Sequence, residues 1–199
     1  MTKLLVLDQV PTQLDQTSFG GLPVKTIGTH IDWPICENCQ GAMQYLGKVK
    51  TDLGLELIFM CSQDPDMCDD WDADGGGNTV LVIDNTNALE HFQPAESENT
   101  LRETEYSAKI IEDQYLDYAE SRQQWFGKKR EILGQLSGQA EWIQNDETPE
   151  CDCCQQPMRF IAQLEEGPDH RTSMNFGGAG SAYLFDCPQG KTAKFLWQC

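Results

Sequence analysis

The sequence predicts a β-rich α+β fold made of two related β-sheet halves that a partly helical segment joins. Two observations predict it: a pair of similar 14-residue stretches, and six short runs with the composition of strands. A chain of 199 residues is long enough for one large domain or two small ones. We expect an N-terminal half over 1–93, a linker and helical segment over 94–133, and a C-terminal half over 134–199.

The internal repeat is clearest around two Cys-x-x-Cys pairs. The stretch 36–49, CENCQGAMQYLGKV, aligns without a gap with the stretch 151–164, CDCCQQPMRFIAQL. Glycine and proline residues precede both copies, and the later stretch LIFMC at 57–61 is matched by YLFDC at 183–187. Self-similarity of this kind indicates one structural unit used twice. The sequence therefore predicts an internal duplication.

Short runs rich in aromatic or β-branched residues, bounded by Gly, Pro, Asp or Asn, predict strands. Six such runs occur, at 43–49, 55–60, 79–83, 159–164, 182–185 and 194–197. Residues 94–104 are polar and predict a linker, in which Thr100 and Glu103 have the spacing of a helix capping box. At least one helix is predicted around 117–126, whereas 106–112 fits either a helix or a strand.

The chain contains nine cysteines, an unusually high and odd number. Its N-terminus has only four apolar residues in a row before Asp8, so we expect no signal peptide. Nothing approaches the roughly 20 apolar residues of a membrane span. We therefore expect a cytoplasmic protein, in which thiols stay reduced and cysteines bind metal more often than they form disulfides.

The cysteine spacing predicts zinc sites. A Cys-x-x-Cys turn directs two thiolates at one ion, and four thiolates complete a closed, structural zinc site. The first predicted set is Cys36, Cys39, Cys61 and Cys68. The second is Cys151, Cys154 and Cys187, with Cys199 as the candidate fourth ligand and Cys153 left over. Zinc is expected at the first set, while the second is open between zinc and buried free thiols.

The charge balance argues against several classes of partner. With 14 Lys and Arg against 32 Asp and Glu, the net charge is −18, which disfavours direct binding to nucleic acid or to an anionic membrane. Such a protein is suited to capturing something basic. The segment 51–101 has no Lys or Arg and reads either as a solvated face or as a partner-binding surface. The candidate partner-binding residues are Asp64, Asp66, Asp69, Asp70, Asp72 and Asp74.

The same segment contains a calcium-like loop. Its candidate ligands are Asp70, Asp72, Asp74 and Asn78, because alternating aspartates followed by Gly surround a hard cation in calcium loops. Position twelve of such a loop would be Leu81, where a bidentate Glu belongs, so a glycine-rich turn is the favoured interpretation. The aspartates also support the alternative of a metal-dependent hydrolase.

Signals for catalysis are otherwise missing from the sequence. The three histidines are scattered, and no Ser or Cys has a pattern that pairs a nucleophile with a base. The tryptophans Trp33, Trp71, Trp142 and Trp197 are interpreted as core or strand-packing residues and not as ligand platforms. We therefore expect a protein that is not an enzyme.

Several motifs resemble known families. The motifs FGGLP at 19–23, WP at 33–34, the first Cys-x-x-Cys, FMC at 59–61 and Cys68 resemble the N-terminal half of the programmed cell death protein 2 family. GGAGSAYLFDC at 177–187 and FLWQ at 195–198 resemble the bacterial YwqG-like family of unknown function. The resemblance implies a duplicated β-rich fold and, on the eukaryotic side, a chaperone for a basic ribosomal protein. On the bacterial side, related genes sometimes lie beside toxins.

Charge, cysteines and resemblance together predict a non-catalytic, zinc-stabilised acidic protein that binds and masks a basic protein. We expect either an immunity protein that neutralises a cognate toxin or a dedicated chaperone for a nucleic-acid-binding client.

Overall fold

The computed structural model describes residues 2–64, 67–94, 99–115, 117–169 and 171–199. Within those ranges the protein is β-rich, with twelve strands, one α-helix and a single 3-10 turn at Lys129–Glu131. The strands of the first half of the chain are β1 (Thr2–Leu7), β2 (Ser18–Gly21), β3 (Val24–Thr26), β4 (Gln44–Thr51), β5 (Gly54–Met60), β6 (Asn78–Ile83) and β7 (Leu89–His91). They are followed by β8 (Arg102–Asp113), α1 (Tyr118–Gln124), β9 (Ile132–Leu136), β10 (Arg159–Glu165), β11 (Ser181–Cys187) and β12 (Thr192–Gln198).

Ten of these strands form one antiparallel sheet, in the order β12-β11-β10-β9-β1-β8-β2-β4-β5-β6, and β3 pairs separately with β7. The two edge strands, β6 and β12, lie close to each other, so the sheet is nearly closed. At its centre β1 pairs with β8, and each of them also pairs with a strand from the other end of the chain: β1 with β9, and β8 with β2. Counted inward from each edge, the first four strands run in reverse chain order, as β12-β11-β10-β9 from one edge and β6-β5-β4-β2 from the other.

All six predicted strands are confirmed, as β4, β5, β6, β10, β11 and β12. The predicted helix is confirmed as α1, whose N-cap residue Asp117 accepts a hydrogen bond from the backbone N–H of Glu120 (2.8 Å). No helix within the described ranges is long and apolar enough to cross a lipid bilayer.

The segment between the predicted halves differs from expectation. The capping box at Thr100 and Glu103 is wrong, because Glu103 lies within β8, and 106–112 forms the rest of that strand. Of the predicted linker, residues 102–104 also belong to β8, and 95–98 lie outside the described residues. The segment 94–133 therefore supplies a central strand of the sheet as well as a helix.

The strands alternate between two apolar environments. On β5, Ile58 and Met60 face a core that both ends of the chain share, together with Phe176 and Trp197. The intervening Leu55, Leu57 and Phe59 face the other side of the sheet, where they pack with Cys36 and Cys61. On β11, Tyr183 and Phe185 likewise pack with Cys151 and Cys187. The alternation along each strand thus places the two cysteine sets on the outer face of the sheet, each beneath its own loops.

Candidate metal centres

The first cysteine set gathers around a tight turn before β4. In this turn the N–H of Cys36 donates to the carbonyl of Gly41 (2.9 Å), and the N–H of Gln40 donates to the carbonyl of Cys36 (2.9 Å). Gln40 itself has a left-handed backbone, with φ of 60°. Cys61 directly follows β5, and Cys68 comes from the long connection between β5 and β6.

The sulfurs of Cys36, Cys39, Cys61 and Cys68 all lie within 4.8 Å of one another, and those of Cys39 and Cys61 are 3.6 Å apart. Four thiolates around one zinc ion, each about 2.3 Å from the metal, would lie about 3.8 Å apart. The first predicted set can therefore hold one tetrahedral metal ion with little adjustment.

The second set repeats this geometry. The N–H of Cys151 donates to the carbonyl of Gln156 (2.9 Å), and the N–H of Gln155 donates to the carbonyl of Cys151 (2.8 Å). Gln155 has a left-handed φ of 56°, as Gln40 does in the first turn. The sulfurs within 4.8 Å of one another here are those of Cys151, Cys153, Cys154 and Cys187.

The membership of the second set corrects one prediction. Cys199, the predicted fourth ligand, does not join the group, and Cys153, which the prediction left over, takes its place with its sulfur 3.3 Å from that of Cys151. Cys199 follows β12 and lies against Gly177, where a side chain would clash with its sulfur. The reason for the difference is loop length: β5 and β6 are joined by 61–77, which carries Cys68, whereas β11 and β12 are joined by 188–191 alone.

The two sets also differ in exposure. Three sulfur ligands of the first set are buried and only Cys39 is exposed. In the second set Cys153 is exposed and Cys154 is half-buried. The second set is therefore more accessible to solvent than the first.

Close packing of the sulfurs separates the pKa values of the thiols. Burial raises the pKa of Cys61 to about 11, whereas a hydrogen bond from the backbone N–H of Gly41 lowers the pKa of Cys39. In the second set the N–H of Cys153 lowers the pKa of Cys151 to about 6, and the contact with the Cys151 sulfur raises the pKa of Cys153 to about 12. Sulfurs this close ionise together only when a cation lies among them, so metal binding would release protons.

The Asp-rich loop is held by hydrogen bonds and an ion pair with other described residues. The side-chain amide of Asn78 donates to the carbonyls of Asp70 (3.0 Å) and Asp72 (2.9 Å), and Asp74 pairs with Lys194. Among the residues that the structure describes, the two cysteine sets are the only groups in which three or more His, Cys, Asp or Glu side chains bring their ligand atoms within 4.8 Å of one another. The carboxylates of Asp70, Asp72 and Asp74 do not form such a group, and the calcium-like loop and the hydrolase alternative stay predictions.

The predicted partner-binding aspartates have different environments. Asp64, Asp69 and Asp72 are exposed, and we call these three residues the acidic surface. Asp70 is only 5% exposed, and Asp66 lies outside the described residues.

Other acids of the segment 51–101 form ion pairs with cations from the C-terminal part of the chain, although Arg159 also pairs with Asp186 and Lys194 with Asp152. The ion pairs are Asp52 with Arg159, Asp84 with Lys191, and Asp74 with Lys194. Part of the acidic charge of this segment is thus paired within the chain.

No protein-family model matches this chain, and no curated protein is significantly similar to it. The resemblance to the programmed cell death protein 2 and YwqG-like families therefore stays a prediction, and the function is inferred from the sites themselves.

Proposed function

We propose that each cysteine set binds one zinc ion and that the protein is a non-catalytic, zinc-stabilised acidic protein that binds and masks a basic partner. The observation that carries the zinc assignment is the gathering of four sulfurs within 4.8 Å at two separate places. All-thiolate tetrahedral sites select zinc among the common divalent ions. A closed set of four thiolates has no open position for a substrate, so these ions stabilise the fold.

We further propose that the two halves arose by duplication. The backbone bond from Met43 N–H to the carbonyl of Pro34 (2.9 Å) recurs at the aligned positions Met158 and Pro149 (2.9 Å). The register of β4 with β5 shifts between Tyr45 and Gly47, and that of β10 with β11 shifts at the aligned positions 160 and 162. These coincidences, together with the symmetric order of the strands, support a common origin.

The net charge of −18 and the acidic surface support a basic partner. Asp64, Asp69 and Asp72 form no ion pair with any described residue, so their charge is available for steering a cationic protein into contact. An immunity protein for a basic toxin and a dedicated chaperone for a basic, nucleic-acid-binding client both fit this proposal, since both shield the cations of the partner.

Native mass spectrometry of the protein purified from its source cells under reducing conditions tests both parts. We expect two zinc ions per chain and a co-purified basic protein, whose identity distinguishes the immunity protein from the chaperone. A metal-free chain would contradict the zinc assignment, and a zinc-loaded chain that never retains a basic protein would contradict the masking function.

A further inference from the structure

The two metal centres obtain their fourth sulfur in different ways. In the first centre it is the sulfur of Cys68, on the long connection between β5 and β6. In the second centre it is the sulfur of Cys153, which lies on the Cys-x-x-Cys turn itself. The second centre therefore takes three of its four sulfurs from the consecutive residues 151–154, whereas the first joins three separate segments of the chain.

The position that Cys153 occupies has a different role in the first half of the chain. Cys153 aligns with Asn38 in the internal repeat. The side-chain amide of Asn38 donates to two carbonyls of the connection 61–77, those of Cys68 (2.7 Å) and Gly75 (2.8 Å). These two hydrogen bonds fasten the connection to the first turn. The first centre is thus held together by hydrogen bonds as well as by the cysteines, and the second turn has a thiol where the first has this anchoring amide.

The second turn has only a short connection beside it. This connection, 188–191, meets Cys153 with Gly190, where the Cβ of any other residue would lie 2.6 Å from the sulfur. Gly190 has no side chain that could shield the sulfur. Cys153 is exposed and Cys154 is half-buried, whereas only Cys39 of the first set is exposed. Small solutes can therefore reach two cysteines of the second centre but one of the first.

The exposed Cys153 has a sulfur neighbour that is placed to react with it. The sulfurs of Cys151 and Cys153 are 3.3 Å apart. A disulfide bond is about 2 Å long, so the two sulfurs need to approach each other by only about 1 Å. In the first centre the exposed Cys39 lies 3.6 Å from the sulfur of Cys61, which follows β5. A bond between Cys151 and Cys153 stays within a single turn, whereas a bond between Cys39 and Cys61 would tie a turn to the end of a central strand pair.

We propose that the second metal centre is a redox switch. Hydrogen peroxide oxidises Cys153 and Cys151 to a disulfide and releases the zinc ion of this centre, while the first centre keeps its ion. The inference rests on the proposed function, because it requires zinc in both centres, and it adds a means of regulation to one of them. One centre then maintains the fold, and the other reports the redox state of its surroundings.

The reaction consumes one molecule of hydrogen peroxide. The thiolate of Cys153 attacks a peroxide oxygen, the O–O bond breaks with loss of hydroxide, and a sulfenic acid forms on Cys153. The thiolate of Cys151 then attacks this sulfur and expels a second hydroxide, which leaves a disulfide. Each sulfur gives up one electron, and the peroxide gains both. Two thiolates remain for the zinc ion, which are too few for a closed site, so the ion leaves.

The probe is hydrogen peroxide, added to the zinc-loaded protein in the presence of a chelator that changes colour when it binds zinc. We expect one ion per chain to be released at least about tenfold faster than the other. Peptide mapping by mass spectrometry at this stage should find a disulfide between Cys151 and Cys153 and free thiols throughout the first set. A thiol reductant with added zinc should then restore the second ion.

Two matched variants assign the fast release to the second centre. Cys153→Ser and Cys199→Ser each remove one exposed thiol. Cys199→Ser should release its first ion as fast as the wild type, because Cys199 belongs to neither set of converging sulfurs. Cys153→Ser should hold a single ion and release it only at the slow rate of the first centre. The ion that Cys153→Ser retains shows that the first half of this variant is folded.

The zinc content before peroxide is added separates the switch from the proposed function. With two ions bound at the start, release of both at the same rate would overturn the switch and leave the zinc assignment intact. Fast release without a disulfide that includes Cys153, or equally fast release from Cys153→Ser, would overturn it in the same way. A wild-type chain that holds fewer than two ions at the start would overturn the zinc assignment itself, and the switch with it.

Discussion

Glu56 is the clearest case of a residue whose ionised form the fold disfavours. Its side chain is fully buried, Oε1 accepts from the hydroxyl of Thr51 (2.8 Å), and Oε2 has no hydrogen-bond partner among the residues described. Burial, with a further contribution from the nearby charge of Asp186, raises the pKa of Glu56 from its usual 4.5 to about 8. Its favourable contribution to stability is therefore complete below pH 4.5 and is lost as the pH rises through 8.

Glu56→Gln should consequently stabilise the protein at high pH. Since one pKa unit corresponds to about 1.4 kcal/mol, we expect the free energy of unfolding to rise by about 2–4 kcal/mol at pH 9 and by less than about 1 kcal/mol at pH 5. Urea unfolding at the two pH values measures this difference. A gain in stability of the same size at both pH values would show that the buried negative charge of Glu56 does not destabilise the fold.

The assignment of the second metal centre predicts opposite outcomes for two cysteines that the sequence alone could not rank. Cys153→Ser should reduce the zinc content from two ions per chain to one, because it removes a sulfur of the converging group. Cys199→Ser should keep both ions, since Cys199 lies against Gly177 instead. Elemental analysis after dialysis measures the content, and two ions in Cys153→Ser with one in Cys199→Ser would reverse the assignment.

At the scale of secondary structure, the sequence predicts those elements whose signal is local. The turns at Cys36 and Cys151 and the strands that follow them are found from spacing and composition, because a Cys-x-x-Cys turn and a half-buried strand each leave a short pattern. The fourth ligand of the second centre depends on the length of the β11–β12 connection. The sequence carries a signal for this difference, because aligning 194–197 with 79–83 leaves Cys68 without a counterpart.

β8 has no comparable local signal. Most of its side chains are exposed or half-buried, so its residues lack the alternation that marks a strand. Its position depends on backbone pairing with β1 on one side and β2 on the other, strands that come from the far N-terminal end of the chain. Composition alone therefore leaves 106–112 open between helix and strand and does not place it at the centre of the sheet.

Lys109 tests whether β8 is a central strand. Its side chain is exposed and its backbone pairs in register with Val6 of β1. Lys109→Pro should lower the free energy of unfolding by about 3 kcal/mol or more, because proline removes a backbone donor from the middle of the sheet. Lys109→Thr changes the same side chain and should shift stability by no more than about 0.5 kcal/mol. If both substitutions change the free energy of unfolding by the same small amount, Lys109 lies in a linker and not in a central strand.

At the scale of the whole molecule, the acidic charge has two uses. Arg159, Lys191 and Lys194 form ion pairs with acids from the first half of the chain, and Lys191 and Lys194 lie beside or on the edge strand β12. Asp64, Asp69 and Asp72 of the acidic surface have no such ion pair with a described residue. Only that unpaired part is available to act on another protein over a distance.

Removing the acidic surface should therefore change the rate of association more than the lifetime of the complex. We expect the triple variant Asp64→Asn, Asp69→Asn, Asp72→Asn to bind the co-purified basic partner with an association rate about tenfold lower at low salt and a flatter dependence on ionic strength. The comparison is a triple variant of three exposed acids elsewhere, Asp8→Asn, Asp32→Asn and Glu112→Gln. It makes the net charge less negative by the same amount as the first variant does. Stopped-flow measurements at several salt concentrations distinguish the two. If both variants slow association to the same degree, the partner responds to the total charge of −18, and the acidic surface is a solvated face without a role of its own.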